Sequence, residues 1–337
     1  MIASIQFRSF KALRAAGLRL EPFNLIIGPN GSGKTSLIQA ILRLRALSQQ
    51  SCPATEAVGA PLAGAKKATA ELLFTFMPPH ARVSARVSGV SGLVCDQLQV
   101  SGDDGTDWAE VQAQLQRVRV FLFDHYAMAA PAAPESGREL AANGGNLASV
   151  LYAYRTQHPS LYAALEAEAV RLMPEFAGIE LRHDLGVGMS LGMRLCDEDE
   201  ILPAEALSQG NLYTLALLAL TYDPNPPSIV CIEEVDRGIH PRRLRDVRDL
   251  LYRLSYPAAC GLSRQPVQVI ATTHSPYLLD QFRDHPEEIV IAEKNGRSAT
   301  FARLIDRPDL EELLREGSLG DMWFAGVLGG VPEEREL

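Results

Sequence analysis

The sequence contains few cysteines, no long apolar run and no excess of positive charge, and each of these absences argues against a class of protein. Its five cysteines contain no CxxC pair, which argues against a zinc ribbon or a CxxC redox centre. No stretch of about 18 uncharged apolar residues occurs, so no transmembrane helix is predicted. The net charge of −9 provides no general attraction to nucleic acid or anionic membranes, and any such contact needs a local basic patch.

The composition is otherwise that of an ordinary globular protein with a full core. Apolar residues make up 47% of the chain and charged residues 22%. The length of 337 residues suits one large domain or two lobes. The N-terminal segment carries Arg8, Lys11 and Arg14 with no long apolar block after them. It is therefore not a signal peptide, and we expect a cytoplasmic protein that makes no membrane contact.

A phosphate-binding loop is predicted near the N-terminus. Residues 18–27 end in a continuous apolar run, which favours a buried strand, and 36–48 have helical spacing. Between them stands GPNGSGKT, a match to GxxxxGK[ST] in the context that this motif requires. Backbone N–H groups and the helix N-terminus would bind phosphates there. The nucleotide-binding residues predicted from the loop are Gly28, Pro29, Asn30, Gly31, Ser32, Gly33, Lys34, Thr35 and Ser36.

Particular roles follow from the chemistry of this loop and of a second, acidic segment. Lys34 would reach the β- and γ-phosphates of ATP, and the Thr35 hydroxyl would bind Mg²⁺. The segment PSIVCIEE at 227–234 is predicted to be a buried strand that ends in two carboxylates. Ligands bind at that edge of doubly wound sheets. We expect Glu233 to hold the Mg²⁺ and Glu234 to act as the general base.

The remaining segments predict a mixed α/β chain. Short alternating runs from 69 to 123 indicate an antiparallel lobe, and 51–68 and 129–146 are expected to be loops. Further strands are predicted at 2–7 and 267–275, and a hairpin at 179–202. Helices are expected at 146–156, 160–173, 211–220 and 241–254.

Four segments together resemble a known family. VCIEEVDRGIHP at 230–241 resembles the Walker B segment and D-loop of ABC-type ATPases in the RecF, SMC and OLD-nuclease branch. ALSQGNLYTLALLAL at 206–220 is similar to the signature segment of that branch, and VIATTHSPYLL at 269–279 to its switch strand and H-loop. The start, IQFRSFKAL at 5–13, resembles its first strand. The closest resemblance is to short stand-alone AAA-family ATPases, some of which act in DNA repair or phage defence.

The resemblance implies an α/β fold, a P-loop ABC-type ATPase head within a single domain spanning 1–337. It implies a mixed or parallel nucleotide-binding core (1–50 and 200–300), an antiparallel β lobe (51–128), a helical and hairpin lobe (129–199) and a C-terminal tail (301–337). Ser208 and Gly210 would contact the γ-phosphate of ATP held by a second subunit, although a helix N-cap also explains Ser208. His274 would hydrogen-bond the γ-phosphate of its own subunit.

Weaker assignments follow from the same resemblance. Asp236 and His240 would flank a D-loop that crosses the dimer, and Arg8 and Lys11 would lie near the nucleotide. Val235 stands where relatives commonly carry proline. The Q-loop glutamine stays open among five candidates, Gln97, Gln99, Gln112, Gln114 and Gln116.

The function implied is an ATPase with ATP and Mg²⁺ as cofactors. It would form a homodimer around two ATP molecules and drive a separately encoded effector, such as a nuclease, in DNA repair or antiviral defence. A transporter subunit and a slow-hydrolysing ATP-dependent clamp are the alternatives. The arginine-rich helix at 241–254 leaves a nucleic-acid surface open, but i,i+4 pairs of Arg242 with Asp246 and Arg245 with Asp249 favour a solvated face. The acidic run CDEDE at 196–200, with Asp197 and Asp199, is expected to be a turn without a metal.

Overall fold

A computed structural model describes residues 1–49, 69–90, 97–102, 106–184, 186, 188–197 and 200–329. The predicted loop at 51–68 and Asp199 lie outside the described residues. The chain divides into two compact units, which we treat separately. The first unit comprises residues 1–118 and 272–337, and the second comprises 119–271.

The described residues form both β-strands and α-helices. The strands are β1 (Ile2–Phe10), β2 (Leu13–Arg19), β3 (Phe23–Ile27), β4 (Thr69–Phe76), β5 (Ser84–Val90), β6 (Gln97–Ser101), β7 (Val118–Phe121), β8 (Phe176–Asp184), β9 (Gly188–Leu195), β10 (Ile201–Pro203), β11 (Ile229–Ile232), β12 (Gln268–Thr273), β13 (Ile289–Asn295) and β14 (Ser298–Arg303). The α-helices are α1 (Lys34–Ser48), α2 (Asp107–Gln116), α3 (His125–Ala129), α4 (Leu147–Gln157), α5 (Pro159–Leu172), α6 (Gln209–Thr221), α7 (Leu244–Ser255), α8 (Pro276–Asp280), α9 (Leu310–Glu316) and α10 (Leu319–Phe324). Short 3₁₀ turns lie at Pro134–Ser136, Ala204–Ala206, Pro241–Arg243, Pro286–Glu288 and Leu304–Asp306. Among the described residues, no helix has the length and apolar character needed to cross a membrane.

The first unit contains an antiparallel sheet with strand order β2-β1-β4-β5-β6. Strand β1 pairs with both β2 and β4, so that Phe7 lies opposite Ala16 on one side and Leu72 on the other. Ile5 and Phe7 are buried while Gln6 between them is exposed, as the period of two requires. The expected antiparallel lobe is therefore present from β4 to β6.

Strand β3 supplies the core beneath the glycine loop. All five of its residues are buried, and it runs parallel to β13, with Ile27 beside Ile291. One strand was predicted over 18–27, but two strands form, because the chain turns between β2 and β3. The turn is closed by Asn24, whose side chain accepts from the Glu21 N–H and donates to the Glu21 carbonyl oxygen.

The prediction of a single antiparallel lobe from 69 to 123 is wrong at its C-terminal end. Helix α2 follows β6, and β7 is a neighbour of β11 rather than of β6. The Glu233 N–H donates to the Phe121 carbonyl oxygen at 2.9 Å, at the ends of these two strands. Alternating short strands look alike in sequence, and their partners are chosen by long-range hydrogen bonds.

The second unit combines a small antiparallel sheet with a parallel pair of strands. The predicted hairpin is present as β8 and β9, with β10 added beside β9. Strands β11 and β12 are parallel, with Cys231 beside Ile270, and both are completely buried. Helix α6 is buried almost throughout, which explains its continuous apolar sequence.

Helix α7 begins later than predicted, after a 3₁₀ turn at Pro241–Arg243. The two predicted i,i+4 ion pairs on this helix do not form among the described residues. Arg248 pairs instead with the adjacent Asp249 at 2.7 Å. Flexible surface side chains can choose among several partners at little cost in free energy.

Candidate nucleotide site

The glycine loop of the first unit connects β3 to α1. Lys34 is the first residue of α1, and only 8% of it is exposed. Its ammonium group donates to the carbonyl oxygens of Gly28 at 2.7 Å and Pro29 at 2.9 Å. The loop therefore wraps around its own lysine, whereas Asn30, Gly31 and Thr35 remain exposed on the outside.

Glycine is required at several positions of this loop. Gly31 and Gly33 have φ values of 77° and 95°, in the left-handed region that L-residues avoid. A Cβ on Gly28 would lie 2.3 Å from the carbonyl oxygen of Ala292 on β13. Any side chain there would push the loop away from the neighbouring strand.

The loop has the features of an anion site. The Ser32 hydroxyl is buried and has no hydrogen-bond partner among the described residues. Gly33 has no side chain with which to cap α1, and the first turn of α1 contains no acidic residue. No carboxylate on this turn therefore competes with a bound anion at the positive end of the helix dipole. A buried orphan donor beside a buried ammonium group fits a phosphate ligand.

His274 follows the buried strand β12 and is exposed. The two residues after His274 define the start of α8. The Ser275 hydroxyl accepts a hydrogen bond from the Leu278 N–H, and Pro276 occupies the first turn of the helix. The Ser275 N–H also donates to the Thr273 hydroxyl at 2.9 Å. His274 thus stands at the carboxyl end of a rigid strand, on a backbone held from both sides.

In the second unit, β11 ends before the two glutamates, which lie in a turn rather than in the predicted strand. Glu233 is half-buried and Glu234 is exposed. Glu234 has a φ of 51°, one of the few left-handed non-glycine residues in the described chain. Its carboxylate lies 3.6 Å from Arg237, whose N–H donates to the Glu234 carbonyl oxygen at 2.9 Å. Arg237 was not identified from the sequence as a partner of Glu234. The available signal was its position three residues after the predicted base.

The signature segment and the D-loop contact each other within the second unit. The Ser208 hydroxyl caps α6 by accepting from the Asn211 N–H at 3.2 Å. A Cβ on Gly210 would lie 2.6 Å from the carbonyl oxygen of Gly238, so the two backbones touch. The α6 N-terminus and the D-loop consequently form one continuous surface.

Val235 and His240 hold the D-loop itself. Val235 is only 1% exposed, so it anchors the loop in the core at the position where proline is common. His240 caps the following 3₁₀ turn, because its Nδ1 accepts from the Arg242 N–H at 3.2 Å.

The weaker candidates make hydrogen bonds or ion pairs with other residues. Arg8 pairs with Glu71 at 3.5 Å, and Lys11 donates to Gln39. Of the glutamines considered for a Q-loop, Gln112 donates to the Ser48 carbonyl oxygen and Gln114 accepts from the N-terminal amine. Within the described residues, no group of three or more His, Cys, Asp or Glu side chains could hold a metal ion alone.

Comparison with known proteins identifies the family. The model of the AAA_21 family, described as "AAA domain, putative AbiEii toxin, Type IV TA system", matches residues 23–280. The chain belongs to this family. The match spans the loop at 28–35, the signature segment, both glutamates and His274, and it confirms the resemblance stated from the sequence. A comparison with curated proteins found no similar sequence.

Solved structures agree with the family on the fold. An SmcHead bound to the C-winged helix domain of ScpA is 14% identical with a TM-score of 0.59, and the match covers 89% of this chain and 96% of that one. The SMC head domain from Thermotoga maritima is 15% identical with a TM-score of 0.52, covering 90% and 98%. This AAA_21 chain therefore has the α/β fold of SMC heads, as expected for an ABC-type ATPase of the RecF and SMC branch.

Proposed function

We propose that this chain binds ATP and Mg²⁺ on the loop at 28–35 and hydrolyses the ATP. The observation that carries the proposal is the loop itself, where two left-handed glycines accompany a buried lysine and a buried serine that has no hydrogen-bond partner among the described residues. Membership in a family of AAA domains supports it. The backbone N–H groups of residues 28–36 would cradle the phosphates, as in other P-loops.

Each remaining site residue has a role that its chemistry supports. Lys34 would move from the Gly28 and Pro29 carbonyl oxygens to the β- and γ-phosphates. Thr35 and Glu233 would hold the Mg²⁺, which supplies neutralisation of phosphate charge when bound. Glu234 would accept the proton of the attacking water, and His274 would donate a hydrogen bond to the γ-phosphate. Most of the catalytic effect would come from positioning and charge stabilisation.

We further propose that two copies close around two ATP molecules. Ser208 and Gly210 would contact the nucleotide of the partner subunit, and the contact of Gly210 with Gly238 would carry the change at the nucleotide into the D-loop. Closure would in turn drive a separately encoded effector in DNA repair or antiviral defence. The SMC head that binds ScpA is an example of a similar fold with a separate partner.

Paired substitutions test the site and the chemistry separately. Lys34→Ala should abolish ATP binding, because it removes the cation that faces the phosphates. Glu234→Gln should bind ATP and hydrolyse it about 10²–10⁴-fold more slowly, because it lacks the general base. Binding is measured with a fluorescent ATP analogue and hydrolysis by phosphate release. Unchanged ATP affinity in Lys34→Ala would refute the loop assignment, and unchanged turnover in Glu234→Gln would refute the assignment of the base.

Dimer closure is tested with the same Glu234→Gln protein. Since slow hydrolysis should trap the closed state, size-exclusion chromatography with ATP and Mg²⁺ should show a dimer. Ser208→Arg should prevent that dimer while leaving nucleotide binding intact, because the proposal gives Ser208 a contact only with the nucleotide of the partner subunit. A purely monomeric Glu234→Gln protein would contradict the proposal.

A further inference from the structure

A second lysine lies against the glycine loop. A Cβ on Gly31 would be 3.6 Å from the Nζ and 3.9 Å from the Cδ of Lys294, so the lysine side chain extends alongside the Gly31 backbone. Both residues belong to the first unit and both are exposed. The exposed rim of the loop therefore has a cation of its own, separate from the buried Lys34.

Strand pairing explains why Lys294 reaches this position. The parallel register of β13 with β3 places Ile291 beside Ile27, and one residue further Ala292 meets Gly28. Lys294 is two residues beyond Ala292, and in a strand residues two apart point to the same side. The small side chain of Ala292 allows the loop to approach, and the long side chain of Lys294 follows it to Gly31.

In the part of the chain that the structure describes, the ammonium group of Lys294 makes no ion pair and no hydrogen bond. Its neighbour Glu293 is directed to the C-terminal tail, where a Cβ on Gly329 would collide with the Glu293 carboxylate. Lysine is also unusual in this sequence, which has 27 arginines among its 32 basic residues. A lysine is a compact charge on a flexible stem, which suits a narrow approach along a backbone.

We propose that Lys294 is a further nucleotide-binding residue, which contacts the phosphates from the Gly31 side of the loop. This inference rests on the proposed function, since it requires a nucleotide on residues 28–35. The buried Ser32 hydroxyl, which has no partner among the described residues, supports an anion next to Gly31. Lys34 at the start of α1 and Lys294 on β13 would share the neutralisation of a polyphosphate that carries several negative charges.

The test measures ATP affinity in the wild-type protein and in four variants, without relying on hydrolysis. Lys294→Ala should weaken binding of a fluorescent ATP analogue about tenfold, the effect of losing one exposed charge-assisted contact. Lys294→Met, which keeps the methylene groups, should be equally weak, and Lys294→Arg should retain most of the affinity. Arg297→Ala is the matched control, because Arg297 is an exposed cation on the same hairpin. Its affinity should stay within about twofold of wild type, given the screening of exposed charges at a distance.

Three outcomes overturn the inference. Wild-type affinity in Lys294→Ala would refute it while leaving the proposed function intact. Equal weakening by Arg297→Ala would mean that only net charge matters. If the wild-type protein itself binds no nucleotide, the proposed function fails and the role of Lys294 fails with it. Thermal unfolding without nucleotide, compared between the wild type and the four variants, confirms that each variant is folded.

Discussion

The left-handed conformation of Glu234 can be tested by comparing glycine and alanine at that position. Glu234 has a φ of 51°, and its ion pair with Arg237 is about half-exposed. Both substitutions remove the carboxylate and this pair, which contributes about 0–1 kcal/mol, so their difference isolates the backbone. The left-handed region costs an L-residue about 1–2 kcal/mol, and glycine avoids this cost.

The conformational entropy of glycine in the unfolded chain opposes this steric gain and must be subtracted from it. Glycine gains conformational entropy in the unfolded chain, which destabilises the folded state by about 0.5–1 kcal/mol relative to alanine. The steric relief is larger, so Glu234→Gly should be more stable than Glu234→Ala by about 0.5–1 kcal/mol. Both variants should hydrolyse ATP far more slowly than the wild type. A glycine variant that is more stable than the alanine variant, with activity lost in both, would identify strain held at a functional position.

The assay is urea unfolding of the nucleotide-free protein, followed by fluorescence. The matched control is Ala164→Gly, at an exposed position within helix α5 of the same unit. There glycine should be the less stable residue, by about 1 kcal/mol, because the backbone is helical. The difference in unfolding free energy between the glycine and alanine proteins should therefore have opposite signs at positions 234 and 164. If Glu234→Ala proves as stable as Glu234→Gly, the turn after β11 is not left-handed and the strain argument is wrong.

Two more predictions concern the second unit. Gly210→Ala would place a Cβ 2.6 Å from the carbonyl oxygen of Gly238 and should abolish ATP-dependent dimerisation while nucleotide binding persists, as gel filtration and a binding titration would show. Retained dimerisation would refute the coupling of signature and D-loop. Burial by itself raises the pKa of Glu168, but hydrogen bonds from Tyr222 and Arg253 lower it overall. Because its pKa is lowered in the folded state, the ionised Glu168 stabilises the fold at pH values above its unfolded pKa of about 4.3. This stabilisation is lost as the pH falls through the folded pKa. Glu168→Gln should therefore destabilise the protein at pH 7 and much less at pH 3. An equal loss of unfolding free energy at both pH values would contradict this.

Most of the local elements could be predicted from the sequence, because each depends on neighbouring residues. The buried strand β3, the glycine loop and helix α1 follow one another in GPNGSGKT and its flanks, and each has its own signal. The predicted helix at 211–220 is present as α6. The errors fall where a boundary depends on one turn, as at Glu21 and Asn24, or where a strand chooses its partner, as β7 does.

The sequence by itself determined the family and the order of the motifs, since a phosphate-binding loop is built from the backbone geometry of consecutive residues. Tertiary structure alone decided which distant residues meet that loop. Ala292 and Lys294 come next to Gly28 and Gly31 only because β13 pairs in parallel with β3. The left-handed turn at Glu234 and the contact of Gly210 with Gly238 likewise arise from packing. Backbone hydrogen bonds between strands are chemically alike for many partners, and the packing of the whole core selects among them.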